Sequence, residues 1–218
     1  MEQYFSVLKS CPLFVGIEER QYAALLDCLG ARVRSYGKGK AILHAGEPAT
    51  QVGVVLVGSV QVCREDADGN RTIMAAIGPG GLFGEAYACA HTPSLPVSVW
   101  AAEHCEILLL NLSRVTTVCS SACDFHNLLI ANLLRVLAQK NVFLTGKMEH
   151  LGKRTLREKL ISYLRSQETA AGRTFTIPFD RQALADYLCA DRSALSRELG
   201  NLQREGVVEF EKNCFRFL

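Results

Sequence analysis

"RQALADYLCADRSALSRELGNLQREG", residues 181–206, holds two short helical patterns around a tight Cys189-Ala190-Asp191 link. Leu195, Leu199 and Leu202 give the second pattern an inward stripe, and Arg192, Ser193, Ser196 and Arg197 fall together on the opposite face of its first turns. A helix that only covers a core can fill its outer face with Lys and Glu. Short hydroxyls beside two arginines are instead the groups that read base edges. Arginine presents two parallel donors matching guanine O6 and N7, and serine donates or accepts at several bases. Asp180 and Asp191 are N-cap residue types, so two helix starts are marked 11 residues apart. Ala185 is small where the two helices must cross, and Leu184 and Leu188 face the core.

On either side of this segment the pattern continues. "GKRTLREKLISYLRSQ" is a further helix pattern, and the polar "ETAAGRTFTIPFD" has turn and strand character. "VVEFEKNCFRFL" reads as two short strands around Glu211-Lys212-Asn213. Helix, strand, helix, helix, hairpin is the order of a winged helix-turn-helix, whose recognition helix enters the major groove by its N-terminal end. This makes double-stranded DNA the expected partner of residues 151–218.

Upstream, 123–150 reads as one long helix of about 42 Å. Ile130, Leu133, Leu137, Asn141, Leu144, Met148 and Leu151 recur at spacings of three and four, a seam of coiled-coil type. The expected homodimer interface is Ile130, Leu133, Leu137, Leu144 and Met148, with Asn141 as a polar residue that fixes register at a cost in stability. A helix this long exceeds what a small domain needs to cover itself.

From 31 to 110 the texture is different. "ARVRSYG", "KAILHAGEP", "VGVVLVGSVQVCRE", "RTIMAAIGPGG" and "VSVWAAEHCEILLLNL" are short β-rich runs punctuated by glycine, with Asp68-Gly69 as a hairpin signal. Many short strands at close spacing predict an antiparallel sandwich, roll or barrel. Before them, "EERQYAALLDCL" (18–29) is spaced as a short amphipathic helix. The expected domains are a β-rich sensor at 1–122, a dimerisation helix at 123–150 and a DNA-binding domain at 151–218.

Composition fits this plan. The chain has 218 residues, 49% hydrophobic and 21% charged, enough apolar content for two modest cores. Net charge is +2, but residues 151–218 carry 12 Lys/Arg against 9 Asp/Glu, leaving 12 against 13 for the rest, an asymmetry that leans toward a C-terminal nucleic-acid contact. "MEQYFSVLKSCPLF" lacks the basic and apolar regions of a signal peptide, and the apolar run "VGVVLVG" is too short to cross a bilayer, so no membrane role is expected. Nine cysteines, scattered without a C-x-x-C, read as reduced cytoplasmic thiols, most of them small apolar core residues.

The whole chain resembles the Crp–Fnr transcription regulators. "YGKGKAILHAGEPATQVGVVLVGSVQV" and "IGPGGLFGEA" carry the N-terminal resemblance, with glycines 39, 46, 58, 80 and 84 at the family's turns; "RQALADYLCADRSALSREL" carries the C-terminal one. The resemblance implies an α+β fold: a cyclic-nucleotide-binding-like antiparallel β-roll, a long dimer helix and a winged helix-turn-helix. It further implies operator recognition by Arg192, Ser193, Ser196 and Arg197, contact with RNA polymerase, and an effector held around Gly84, Glu85, Val97 and Ser98.

One part of the family pattern fails. In members that bind cyclic AMP, an Arg-Ser pair eleven and twelve positions after the cassette glycine holds the cyclic phosphate. Counting from Gly84, that pair falls on Leu95 and Pro96. No arginine or lysine occurs between Arg71 and Arg114. A buried phosphate without a cation costs several kcal/mol, so cyclic-nucleotide control is not expected and Glu85 is left a structural role. An unidentified small organic effector is the leading alternative. Haem, metal or thiol sensing is another, since Cys89 and His91, or Cys119, Cys123 and His126, approach metal-ligand spacing without matching the family's haem or cluster sensors. A signalling adaptor would leave the 192–197 face unexplained. No catalytic motif surrounds His44, His91, His104, His126 or His150, so an enzyme is not expected.

Overall fold

The structure, a computed structural model, describes residues 2–65, 71–116, 124–168 and 174–218 of the chain. It divides into two compact units, Met1–Gln139 and Lys140–Leu218. The division falls inside the long helix, so the first half of that helix belongs with the β-rich unit and the second with the C-terminal one.

The first unit opens with α1 (Phe5–Ser10) and α2 (Tyr22–Cys28). Its strands are β1 (Arg32–Tyr36), β2 (Ala41–Leu43), β3 (Gln51–Val57), β4 (Val60–Glu65), β5 (Arg71–Ile77), β6 (Leu82–Phe83), β7 (Ser98–Ala101) and β8 (Cys105–Asn111). Between β6 and β7 lies α3 (Glu85–Cys89); after β8 come α4 (Leu112–Thr116) and the long α5 (Asp124–Leu151). Two antiparallel four-stranded sheets form, in the orders β1-β8-β3-β6 and β2-β7-β4-β5. The pairing of Glu65 with Arg71 brackets the expected Asp68-Gly69 hairpin, which itself lies outside the described residues.

Period-two alternation decides where each strand residue goes. Val52, Val54 and Leu56 of β3, with Leu108 and Leu110 of β8, pack against Leu8, Tyr22, Leu25 and Leu129 of the helices. The intervening Val55, Ile107 and Leu109 point the other way and meet Ile42, Val60, Val99 and Ala101 of the second sheet. Both faces of β3 are therefore buried, which is why "VGVVLVG" is continuously apolar. Gly53 has a steric purpose: a Cβ there would lie 2.1 Å from the Phe83 ring.

One side of α5 is fixed by this unit. Leu129, Leu133 and Val136 are buried, the first two in the helix-side core. Beside them Asn132, 1% exposed, donates from Nδ2 to the carbonyls of Leu13 (3.1 Å) and Val15 (2.7 Å). Leu133, expected in the dimer seam, is thus committed to its own subunit, and Leu137 is partly buried against the same core. The outward stripe runs Ile130, Leu134, Leu137, Asn141, Leu144 and Met148, at strict spacings of four and three. Along it Leu134, Leu144 and Met148 are exposed. By length and composition α5 could cross a bilayer, but its inner side is built to lie on protein.

In the second unit α6 (Leu156–Gln167), α7 (Arg181–Tyr187) and α8 (Arg192–Arg204) pack on a sheet of order β10-β11-β9, made of β9 (Thr174–Thr176), β10 (Val208–Glu211) and β11 (Cys214–Phe217). Leu160, Leu164, Leu184, Leu188, Leu195, Leu199, Leu202 and Phe215 form its core, and Ala185 is fully buried in it. The last turns of α5 join through His150, whose ring nitrogens face Ser162 Oγ (2.9 Å) and Ser166 Oγ (3.4 Å) of α6 and whose ring meets Tyr163 edge-on. Burial lowers the pKa of His150 and pushes the Tyr163 hydroxyl up to about 12.

The Gly53–Phe83 contact generates a test. Gly53→Ala should destabilise the β-rich unit by about 1–3 kcal/mol, the cost of overpacking a filled core. Chemical denaturation of the two proteins checks this, and an unchanged midpoint would mean the Phe83 ring has room to withdraw.

Candidate nucleic-acid interface

Both helices of the helix-turn-helix are capped as their sequence requires. Asp180 Oδ1 accepts from the Ala183 amide at 2.8 Å. Asp191 Oδ1 accepts from the amides of Ser193 (2.8 Å) and Ala194 (3.0 Å) and from the Ser193 hydroxyl (2.5 Å). These bonds, the Ser193 hydroxyl foremost, hold the Asp191 carboxyl below the usual carboxylate range.

Arg192, Ser193, Ser196 and Arg197 all stand exposed on the first two turns of α8, while Leu195, Leu199 and Leu202 are buried beneath. The structure therefore brings the four candidate DNA-reading residues onto one surface. Ser193 is tied to the cap, so in this state it turns acceptor lone pairs outward rather than its proton. No acid is within ion-pair distance of Arg192 or Arg197 among the described residues. In contrast Arg157 of α6 is engaged with Glu198 and Glu205, which fastens α6 to the rear of α8.

The β10–β11 hairpin, expected from the sequence, is held by a set of contacts that the sequence did not reveal. Lys212 sits at its tip with φ of +53°, and its carbonyl accepts from Arg181 Nη2 at 2.7 Å. The Arg181 guanidinium lies over the rings of Phe210 (4.8 Å) and Phe215 (5.2 Å). Arg181 thus holds the hairpin against the start of α7. Its signal was the aromatic-rich "VVEFEKNCFRFL", which offers Phe210 and Phe215 as stacking partners.

In the β-rich unit the cassette residues are drawn inward. Gly84, at φ +81°, starts α3, and a Cβ there would come 2.8 Å from the Gln51 carbonyl. Glu85 is 2% exposed in the first turn of α3. Leu95 is buried in the core between the sheets, its amide donates to the Glu47 carbonyl, and its own carbonyl accepts from the Gly46 amide. Val97 and Ser98 are buried, and Ser98 Oγ accepts from the Ala45 amide at 3.0 Å. A buried leucine thus stands at the position where cyclic-AMP binders of the family carry the phosphate's cation, and the Ser98 hydroxyl is engaged with the loop backbone. The residues present do not fit that ligand.

Among the described residues no group of three His, Cys, Asp or Glu could hold a metal ion. Cys119 and Cys123 lie outside them. His126 is 1% exposed, with Nε2 donating to the Arg114 carbonyl at 3.2 Å. Cys11, Cys63 and Cys105 are buried, and burial pushes the Cys11 thiol up to about 11.

Comparison with known proteins accords with both halves. The cyclic nucleotide-binding domain family matches residues 33–122, and the Crp-like helix-turn-helix domain family matches residues 158–217. The chain belongs to the Crp–Fnr family of transcription regulators. It is 28% identical over 214 residues to a protein named "Probable transcriptional regulator flp" from Lacticaseibacillus casei, covering 95% of this chain and 91% of that one. To the transcriptional activator protein FnrL of Cereibacter sphaeroides it is 25% identical, over 82% of this chain and 73% of the relative. The crystal structure of the Thermus thermophilus catabolite activator protein superposes with a TM-score of 0.50 at 25% identity, covering 95% and 93% of the two chains.

This Crp–Fnr chain carries a strained residue in the turn of its DNA-binding motif. Helix α7 closes with the Ala190 amide donating to the Ala185 carbonyl and the Cys189 amide to that of Asp186, a Schellman closure that places Cys189 at φ +52°. The same closure after α2 and α8 uses Gly30 and Gly206. Cys189→Gly should therefore stabilise the C-terminal unit by about 0.5–1 kcal/mol, the left-handed penalty outweighing glycine's extra chain entropy. A lowered thermal midpoint for C189G would show that the thiol makes a compensating contact.

Proposed function

We propose that the chain is a sequence-specific regulator that binds operator DNA as a homodimer and answers a signal sensed in the β-roll, one other than a cyclic nucleotide. The observation that carries this reading is the α8 surface. Two arginines with no acid within ion-pair distance among the described residues, and two serines, are exposed at the start of a capped helix, on the part of a recognition helix that enters the major groove. In this reading Arg192, Ser193, Ser196 and Arg197 address bases, while Lys212 at the hairpin tip takes a phosphate. The outward stripe of α5 pairs with its copy on a second chain and spaces the two readers. RNA polymerase is the partner that the regulator recruits or obstructs, and the cytoplasm is where it works.

A palindromic duplex with half-sites about one helical turn apart should bind tightly. Arg197→Ala should cost about 1–3 kcal/mol and relax preference at one base pair per half-site. Binding measured against a panel of single-base variants checks this; a uniform loss across all sequences would make Arg197 a phosphate contact instead.

Titration calorimetry with cyclic AMP and cyclic GMP should give no heat attributable to binding, because Leu95 fills the position where the phosphate's cation would stand. Micromolar binding of either nucleotide would overturn this part of the reading.

A further inference from the structure

The β-rich unit also has a concave site on the β1-β8-β3 face, and one of its lining residues, Gln51, lies beside Gly84 of the cassette. Arg32 and Arg34 share one face of β1, and with Arg114 of α4 they line a cavity of about 420 Å³. Gln51, Asn111 and Asp27 complete its polar wall. Register explains the grouping: Arg32 pairs with Leu109 and Gln51 pairs with Asn111, so alternate residues of three adjacent strands share this face. Three arginines against one aspartate leave the lining with a charge of +2. None of the three makes an ion pair among the described residues, although Asp27 lines the same cavity.

Scattered surface arginines are ordinarily just solvated. Three features separate these from that case. They converge on a cavity rather than a flat face, and its volume lies in the range of small-ligand sites. The guanidinium of Arg114 also rests against a residue without a side chain: a Cβ on Gly30 would lie 2.7 Å from Arg114 Nη1. Finally, the Arg114 carbonyl accepts the hydrogen bond from buried His126 at the start of α5, so the site is attached to the helix assigned above to dimerisation.

We propose that this cavity binds a small organic polyanion, a phosphate monoester or a polycarboxylate, as the regulator's effector. Guanidinium groups pair bidentately with both kinds of oxyanion, and the Gln51 and Asn111 amides can orient the remainder of the ligand. Arg114 then carries the bound state toward α5 through its bond with His126. The proposal rests on the reading of this chain as an effector-controlled regulator and names the chemical class of that effector.

The test uses the full chain at low ionic strength, with inorganic phosphate, fructose 1,6-bisphosphate, citrate and polyglutamate as probes and sodium chloride as the ionic-strength control. At least one polyanion should raise the thermal midpoint and bind by calorimetry. Arg114→Gln, and Arg32→Gln with Arg34→Gln, should weaken it by roughly tenfold or more. Arg64→Gln, the same charge change as Arg114→Gln at an exposed position elsewhere on the roll, should not. Preference for the bisphosphate over citrate, or the reverse, identifies which oxyanion source is meant. The proposal falls if no probe binds at millimolar concentration, if chloride acts as well as the polyanions, or if Arg64→Gln weakens binding as much as the others. It falls equally if only polyglutamate binds, which would make the surface a dock for an acidic protein segment. Operator binding, followed in parallel, keeps the two readings apart. Loss of polyanion binding with intact operator binding removes only this site, whereas polyanion binding without operator binding removes only the DNA reading.

Discussion

The structure of the β-rich unit depends on how α5 is held in rotation. Asn132 is buried, and its amide donates to two main-chain carbonyls, those of Leu13 and Val15, in the segment after α1. The bond to the Leu13 carbonyl is buried, and leaving that carbonyl unpaired would cost about 1–3 kcal/mol. Leu129 and Leu133 are driven into the core on the same side. A helix pinned by a polar lock and an apolar stripe cannot roll, so its opposite face is determined. That face presents Leu134, Leu144 and Met148 to solvent. An apolar face this long on a 28-residue helix is what a coiled-coil partner covers.

Much of the fold was legible in the sequence because the deciding signals were local. The leucine spacing of 195, 199 and 202, the caps Asp180 and Asp191, and the glycine-punctuated runs of 31–110 each act over a few residues. The rotation of α5 was not. Leu133 and Leu134 are adjacent, both fit an apolar stripe, and a period near 3.6 leaves either one acceptable in the seam. The choice is made by Asn132, whose partners lie more than a hundred residues away in sequence, beyond the reach of any periodicity.

The candidate DNA surface was legible for the same reason, since four exposed residues within six positions of one helix need no tertiary knowledge to be grouped. The supporting layer was hidden. Arg181 holding the hairpin through Lys212, Phe210 and Phe215, and the basic cavity of Arg32, Arg34 and Arg114, join residues from separate elements. In the sequence those arginines are only part of an unremarkable charge balance. The cassette shows a third situation. Its departure from the family was visible as the Leu95-Pro96 pair, and the structure adds that Leu95 is a buried core residue.

The claim on which the functional account turns is that the outward stripe of α5 joins two chains. Leu134→Asp tests it directly, because Leu134 is 63% exposed and the substitution removes nothing from the subunit's own core. Leu133→Asp, by contrast, would bury a carboxylate and unfold the β-rich unit. Sedimentation of the Leu134→Asp protein, together with operator titration, is the decisive measurement. The account predicts a folded monomer whose residual DNA binding is weak and steeply salt-dependent, as for phosphate contacts alone. A dimer that keeps its operator affinity would contradict it.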